Sequence, residues 1–275
     1  MKILIIGGNG MAGHVLVRYF QRQGKHRVFY TTRDTSDPGS LILDVDDISA
    51  VERAVQLVRP DVIINAVGVL NHFAAQNTIA AYHINGFLPH RLRRAADALS
   101  ARLIHISTDC VFLGSKGKYT ENDLTDGTST YAVTKALGEV RDEGHLTIRT
   151  SIIGPEIRDQ GIGLLQWFLG QKGKVNGYRR VLWNGVTTIQ LAKAIDSVLD
   201  SSLSGLVHLA HPETFTKHDM LKLFQEIWNK QDVTVVPVDQ PVMDRTLVST
   251  RKDVHFALPS FRGMIEEMAD WMGRT

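Results

Sequence analysis

Tyr131 and Lys135 stand four residues apart in the stretch Tyr131-Ala-Val-Thr-Lys135. On a helix that spacing puts both side chains on one face, one turn apart. A free phenol has a pKa of about 10, too high for an acid poised near neutrality, and a nearby ammonium favours the phenolate. The pair reads either as a proton donor with the cation that tunes it or as a coincidence of composition. What surrounds it decides between the two.

A second constellation is Gly7, Gly10 and Gly13 in the run Gly7-Gly-Asn-Gly-Met-Ala-Gly13. It follows the apolar Ile3-Leu-Ile-Ile6 and opens an amphipathic stretch. Glycines so placed tighten a strand-to-helix turn and let backbone amides approach a pyrophosphate at the helix N-terminus. With Met11 in the first turn, they form a candidate dinucleotide site. A dinucleotide fold places its ribose reader about twenty residues beyond the third glycine, where Arg33 and Asp34 fall. An acid there suits the 2′-hydroxyl of NAD, and an arginine the 2′-phosphate of NADP. Arg33 comes first after the second strand, behind two small threonines, so NADPH is the expected cofactor, with NADH as the alternative. Asp44, behind Leu41-Ile-Leu43, either accepts from the adenine amino group with Val45 against the ring or starts the next helix.

These residues need elements to hold them. Lys2 to Gly7, His26 to Thr32, Asp61 to Val67, Arg102 to Thr108 and Leu146 to Gly154 read as strands, several as near-continuous apolar runs. Between them, Met11 to Gln23, Asp47 to Arg59, Asn77 to Ser100 (with Pro89 inside, hence a kink or break) and Tyr131 to about Glu143 read as helices. This alternation predicts an α/β fold: a Rossmann-type, doubly wound parallel sheet over residues 1–154 carrying the dinucleotide and catalytic residues. After Gly154 glycines interrupt shorter segments. Helices are expected at Gly163 to Leu169, Ile189 to Asp200, Lys217 to Asn229 and Phe261 to Met272, with Thr216 and Asp219 resembling a capping box. Residues 155–275 are therefore expected to form mainly a smaller substrate-binding lobe. It would cover the carboxyl ends of the strands, with room for some of its segments to rejoin the sheet.

The bulk numbers exclude other classes. The chain has 275 residues, 43% hydrophobic and 22% charged, with a net charge of +2. No strong field calls for nucleic acid or an acidic membrane, and the Arg91-Leu-Arg-Arg94 cluster reads as a solvated helix face. No apolar run approaches the length of a membrane span. One cysteine, Cys110, allows neither an internal disulfide nor a cysteine metal cluster, which suits a reducing cytosol. His208, His211 and His218 are better explained by a strand end and a helix start than by a metal, and no metal is expected.

The glycine spacing together with Tyr131 and Lys135 resembles the short-chain dehydrogenase/reductase superfamily. Further pieces resemble its extended branch, and within it the dTDP-4-dehydrorhamnose reductase-like group: Ser107-Thr-Asp109, Val111-Phe112, Tyr119-Thr-Glu121, Gly138-Glu139, Asn65-Ala66, Asn85 with Pro89, Arg149-Thr-Ser151 and Arg245. The resemblance implies that Tyr131 protonates a carbonyl oxygen as hydride arrives. It implies that Lys135 lowers the phenol's pKa and bonds the nicotinamide ribose. Thr108, at a strand end, would hold the carbonyl oxygen, and strand alternation lets only one of Thr108 and Ser107 face the site. Asn65 and Ala66 would line the cofactor, and Asn85 would brace the site through backbone contacts or water. The implied substrate is a 4-keto-6-deoxy sugar on a nucleoside diphosphate, for surface polysaccharide precursors. Asp109, Arg245 and Trp183 are its candidate partners, while Lys174, Arg179 and Arg180 are further cations. A homodimer is the family-level expectation.

Two positions depart from the group's pattern. Cys110 stands where a tyrosine is usual, and Ile152-Ile153 where an aromatic residue is usual. Both remove contact surface beside the sugar, so a different nucleotide or an acetamido sugar stays open. An epimerase or dehydratase that recycles NAD is a second reading, disfavoured because Thr108-Asp109-Cys110 lacks a second carboxylate. A regulatory module that only binds the dinucleotide, like the regulatory subunit of methionine adenosyltransferase, is a third.

Overall fold

The structure is a computed structural model and describes residues 1–157, 161 and 163–273. In chain order the strands are β1 (Lys2–Ile6), β2 (Arg27–Thr32), β3 (Leu41–Ile42), β4 (Val62–Asn65), β5 (Arg102–Thr108), β6 (Leu146–Thr150), β7 (Ile152–Ile153), β8 (Gly173–Tyr178), β9 (Val181–Trp183), β10 (Val186–Thr187), β11 (Gly205–His208), β12 (Phe215–Thr216), β13 (Val233–Val238) and β14 (Met243–Asp244). The helices are α1 (Met11–Gln23), α2 (Ile48–Val58), α3 (Asn71–Gln76), α4 (Thr78–Ala81), α5 (Leu88–Asp97), α6 (Thr130–Leu137), α7 (Leu164–Leu169), α8 (Thr188–Val198), α9 (Lys217–Ile227) and α10 (Phe261–Trp271).

The main sheet has seven strands in the order β11-β6-β5-β4-β1-β2-β3. Every pairing in it is parallel. The apolar runs explain this. Ile3 and Ile5 of β1 point into a core shared with Val15, Leu16 and Phe20 of α1, while Leu4 and Ile6 point into the opposite core with Val51 and Val55 of α2 and Leu92 of α5. A strand buried on both faces needs no polar alternation. The chain winds from β1 to β2 on one side and later to β4 on the other. The strand order therefore reverses beside β1, where open α/β sheets place ligands at the carboxyl ends.

Beyond β6 the chain builds β7 with β10, β8 with β13, and β9 between β12 and β14. The core under α1 continues without a break into Phe168, Val175, Trp183, Phe224 and Val235 of these segments. β11 rejoins the main sheet beside β6, and its register pairs His208 with Arg149.

Several boundaries differ from the sequence reading, each for a local reason. The helix expected over Asn77 to Ser100 is divided into α4, a π-helical turn at Tyr82–Phe87 and α5. Pro89 lies in the first turn of α5, where its missing N–H costs nothing. α6 stops at Leu137 because the chain passes Asn85 closely: a Cβ on Gly138 would lie 1.9 Å from the Asn85 carbonyl oxygen. The strand expected to reach Gly154 is interrupted at Ser151, whose carbonyl accepts from Val186 N–H of β10. The two-residue β3 and α3 are too short to show a period in the sequence. α9 begins as expected: the Thr216 hydroxyl accepts from the Asp219 amide and donates to its carboxylate.

Candidate active site

Four strand ends converge on the carboxyl edge: β1 at Ile6, β4 at Asn65, β5 at Thr108 and β6 at Thr150. Gly7 leaves β1 with φ of +87°, a conformation that side chains rarely adopt, and a Cβ there would lie 2.6 Å from Val67. A Cβ on Gly13 would lie 2.0 Å from the Gly7 carbonyl oxygen, so only glycine lets α1 come this close to the turn. Gly10 caps α1 without a side-chain bond, and the first turn carries no acid. The turn therefore keeps unpaired amides and positive dipole free for an anion, which fits the pyrophosphate of a dinucleotide. The Met11 methyl reaches across to Gly163 at the start of α7.

Arg33 is exposed just past β2. Among the described residues it forms no hydrogen bond or ion pair. Asp34, by contrast, is occupied: its carboxylate accepts from the Ser36 amide and hydroxyl at 2.9 and 2.6 Å. Asp44 is exposed and bonds the Asp46 amide at 3.2 Å; Asp47, not Asp44, caps α2. Val45 packs half-buried against the core on that side of the sheet. Asn65 is fully buried, and Ala66 donates its amide to Ile6 at 3.1 Å.

Thr108 and Tyr131 meet at the end of β5. The Thr108 hydroxyl accepts from the Cys110 amide and donates to Asp109, both at 3.1 Å. The Tyr131 phenol lies beside it. Ser107 points the other way, donating at 2.9 Å to the buried Glu139, so strand alternation gives the site to Thr108. Ser129 caps α6 through the Ala132 amide, which sets Tyr131 and Lys135 on one buried face. Lys135 donates from Nζ to the Ile106 carbonyl at 2.7 Å. Asn85 is buried in the π-turn and braces α6: its amide bonds both backbone groups of Val69 and the Thr134 hydroxyl.

The electrostatics differ from the sequence expectation in one respect. Burial pushes the Tyr131 phenol well above its ordinary range, and the neighbouring Cys110 and Asp109 push the same way, while the nearby Thr108 hydroxyl opposes them. The Lys135 ammonium, expected to lower that pKa, is turned to the Ile106 carbonyl. Burial lowers Lys135 to about 8, against the pull of Glu139. Burial also raises the Asp109 carboxyl, offset first by Arg245 and then by the Thr108 bond.

The substrate candidates separate into those in the cleft and those outside it. Arg245 reaches the turn after Thr108, donating to the Cys110 sulfur at 3.5 Å, and its Nε is buried without a hydrogen-bond partner among the described residues. Trp183 is only 4% exposed and packs edge-on against Phe261, so it has no free face for stacking. It reaches the site through its indole N–H, which donates to Ser151 at 2.9 Å. Arg179 is engaged by Asp239 in an exposed two-pronged pair just past the ends of β8 and β13. Lys174 and Arg180 are exposed there as well. His208, His211 and His218 are each held separately, by Arg149, Pro259 and Asp219. Among the described residues no group of three or more His, Cys, Asp or Glu side chains is placed to hold a metal ion. Among them no helix is long and apolar enough to cross a membrane.

The profile described as RmlD substrate binding domain matches residues 1–247. The chain belongs to the RmlD substrate binding domain family. A dTDP-4-dehydrorhamnose reductase of Burkholderia thailandensis is 34% identical over 157 residues, which cover 55% of this chain and 50% of that one. The chain thus aligns with about half the length of that reductase. Methionine adenosyltransferase 2 subunit beta of Bos taurus is 24% identical over 260 residues, covering 88% of this chain and 77% of that one. The crystal structure of a Bacillus anthracis dTDP-4-dehydrorhamnose reductase in complex with NADP superposes with a TM-score of 0.84 at 20% identity, covering 98% of this chain and 99% of that one.

This RmlD-family site includes residues that sequence reasoning missed. Lys217, first in α9, lies with its ammonium 5.9 Å from the Trp183 ring; burial lowers its pKa, and Asp109 pulls the other way. Ser151 joins Trp183 to the cleft. Behind the site, Glu139 forms a buried pair with Arg149, whose guanidinium also bonds His208. Lys217 stands inside the Thr216–Asp219 cap, which marks a helix start but does not separate it from a surface lysine. Glu139, Arg149 and Ser151 belong to stretches that carry the family resemblance, a signal that could have marked them.

Proposed function

We propose that the chain is an NADPH-dependent reductase of a 4-keto-6-deoxy sugar carried on a nucleoside diphosphate, supplying precursors of surface polysaccharide. The observation that carries this reading is the meeting of the Thr108 hydroxyl and the Tyr131 phenol at the end of β5, on the sheet edge that also bears the glycine turn. The dinucleotide, when bound, supplies a hydride to the ketone carbon. Thr108 and Tyr131 hold the carbonyl oxygen, and Tyr131 passes its phenolic hydrogen to that oxygen as negative charge develops. A phenol carries the hydrogen that reduction requires at neutral pH, and burial further disfavours its loss. Lys135, one turn along the same face, is the nearest cation of the helix and the counter-charge to the phenolate left behind.

Arg33 supports the choice of NADPH, because an unpaired guanidinium past β2 suits a 2′-phosphate. Arg245 and Lys217, whose charges act on Asp109 beside Thr108, are the cations we assign to the substrate's diphosphate side. Cys110 at this point leaves more room beside the sugar than a tyrosine would. The test is NADPH consumption with a panel of thymidine- and uridine-diphosphate 4-keto sugars. Consumption with at least one member, linear in enzyme, is the expected result.

A second reading has one observation in its favour. The match to methionine adenosyltransferase 2 subunit beta runs over 88% of this chain, whereas that to the Burkholderia reductase runs over 55%. A regulatory dinucleotide-binding module would bind NADPH tightly and consume none with any sugar in the panel.

A further inference from the structure

A buried imidazole joins the cofactor side of the sheet to the lysine of the site. His105 lies in β5, 0% exposed, and the reaction as described gives it no part. Its Nδ1 faces the Asn65 side-chain nitrogen at 3.1 Å, and its Nε2 faces Lys135 Nζ at 3.4 Å. One backbone amide settles the direction of these contacts. Val67 N–H can only donate, and it donates to Asn65 Oδ1 at 3.2 Å. The Asn65 amide is thereby fixed with its NH₂ toward His105, and an NH₂ can only donate. His105 Nδ1 must accept, so the neutral ring carries its hydrogen on Nε2. That N–H points at an ammonium, which has donors and no acceptor. Two donors face one another, and the ammonium instead donates to the Ile106 carbonyl at 2.7 Å.

We propose that His105 is a positioning residue for Lys135: pinned in one tautomer by Asn65, it turns an N–H against the ammonium, keeps it on the Ile106 carbonyl and weakens its hold on its proton. The neutral amine can accept the His105 N–H, and the ammonium cannot, so the contact favours release of the proton. Other groups around the lysine are accounted for. Burial lowers the lysine's pKa as well, and Glu139, just past the end of α6, pulls the opposite way. Burial, the Lys135 charge and His90 of α5 keep the imidazole neutral, its pKa well below the ordinary histidine range. Because Asn65 ends β4 beside the glycine turn, the tautomer, and through it the lysine, is tied to the strand end that we assign to the cofactor.

The kinetic consequence rests on the reductase reading; the tautomer and the lysine titration belong to the protein alone. Ring ¹⁵N shifts of His105 in the unaltered chain should show Nε2 protonated and Nδ1 bare, and protonation at Nδ1 would overturn the proposal. With ¹³Cε-labelled lysine, the Lys135 midpoint should rise by roughly one pH unit, a tenfold change in proton affinity, in His105→Leu. His105→Gln keeps an N–H and should restore most of the shift. A folded His105→Leu protein whose Lys135 titrates as in the unaltered chain would also overturn it. The alkaline limb of kcat/KM should move with the lysine midpoint. Neither spectroscopic readout needs a substrate, so a protein without turnover still decides the proposal.

Discussion

Gly10 and Gly13 separate what the fold needs from what the cofactor needs. A Cβ on Gly13 would sit 2.0 Å from the Gly7 carbonyl oxygen and 2.8 Å from its carbon, both backbone atoms that no rotamer change can move. Reaching ordinary contact requires α1 to retreat by about 1.4 Å, and that helix carries Val15, Leu16 and Phe20 in the core, so Gly13→Ala should cost about 3 kcal/mol, the upper end for overpacking. A Cβ on Gly10 would meet only the Gly7 and Ala66 carbonyl oxygens at 3.4 and 3.8 Å, in a backbone conformation (φ −78°, ψ 168°) open to any residue. The free protein should lose only about 0.5–1 kcal/mol in Gly10→Ala, from the poorer helix cap. A pyrophosphate drawn onto that turn would nevertheless meet the new methyl group. Urea unfolding and NADPH fluorescence titration on both variants read the two effects apart. Gly13→Ala should lose stability and binding together. Gly10→Ala should keep its unfolding midpoint nearly unchanged while its Kd for NADPH rises at least about tenfold, or 1.4 kcal/mol. Unchanged NADPH affinity in Gly10→Ala would refute the placement of the pyrophosphate on this turn.

Other consequences are as direct. Tyr131→Phe should lower turnover by roughly 10²–10⁴ while NADPH affinity stays within about twofold, since the phenolic hydrogen serves the reaction and not the fold; equal loss of both would make the phenol structural. Arg33→Ala should weaken NADPH binding about tenfold and leave NADH nearly untouched, as removal of a charged hydrogen bond to a 2′-phosphate requires; parallel losses for both dinucleotides would remove Arg33 from that role. The buried His208 has its pKa lowered to about 4, chiefly by burial. A lowered folded-state pKa means that the unfolded chain takes up the proton first, so stability is intact above about 6.5 and falls toward pH 4. That single group accounts for about 3 kcal/mol over the window. Below it Glu121 continues the loss, since backbone and hydroxyl bonds hold its carboxyl at about 2. Urea midpoints measured from pH 7 to 4 check this, and a flat profile would contradict it.

Much of the fold is legible in the sequence because burial on both faces makes strands plain. β1, β4 and β5 are runs of β-branched and apolar residues, and β5 has the bounds that the pattern predicts. The turn glycines are legible because a close backbone approach admits no other residue. What escapes is non-local. The division of the helix expected over Asn77 to Ser100 depends on Asn85 bonding Val69 and Thr134, which only the tertiary structure brings together. The short pairs β7–β10 and β9–β12 carry no period to detect. Lys217 and His105 belong to the site neighbourhood through contacts over many residues, and locally they look like a surface lysine and a strand residue. Trp183 shows the converse: an aromatic near the cleft suggests stacking, yet its burial against Phe261 leaves it only an N–H to offer.

The most direct test of the central claim follows the hydride itself. NADPH carrying deuterium at the transferable position is incubated with a thymidine-diphosphate 4-keto-6-deoxy hexose and the enzyme, and the product is read by NMR. The arrangement of Thr108, Tyr131 and Lys135 predicts one deuterium on the sugar's carbon 4 for each NADPH oxidised, lost in Tyr131→Phe. Tight NADPH binding with no deuterium reaching the carbon of any keto sugar offered would contradict it.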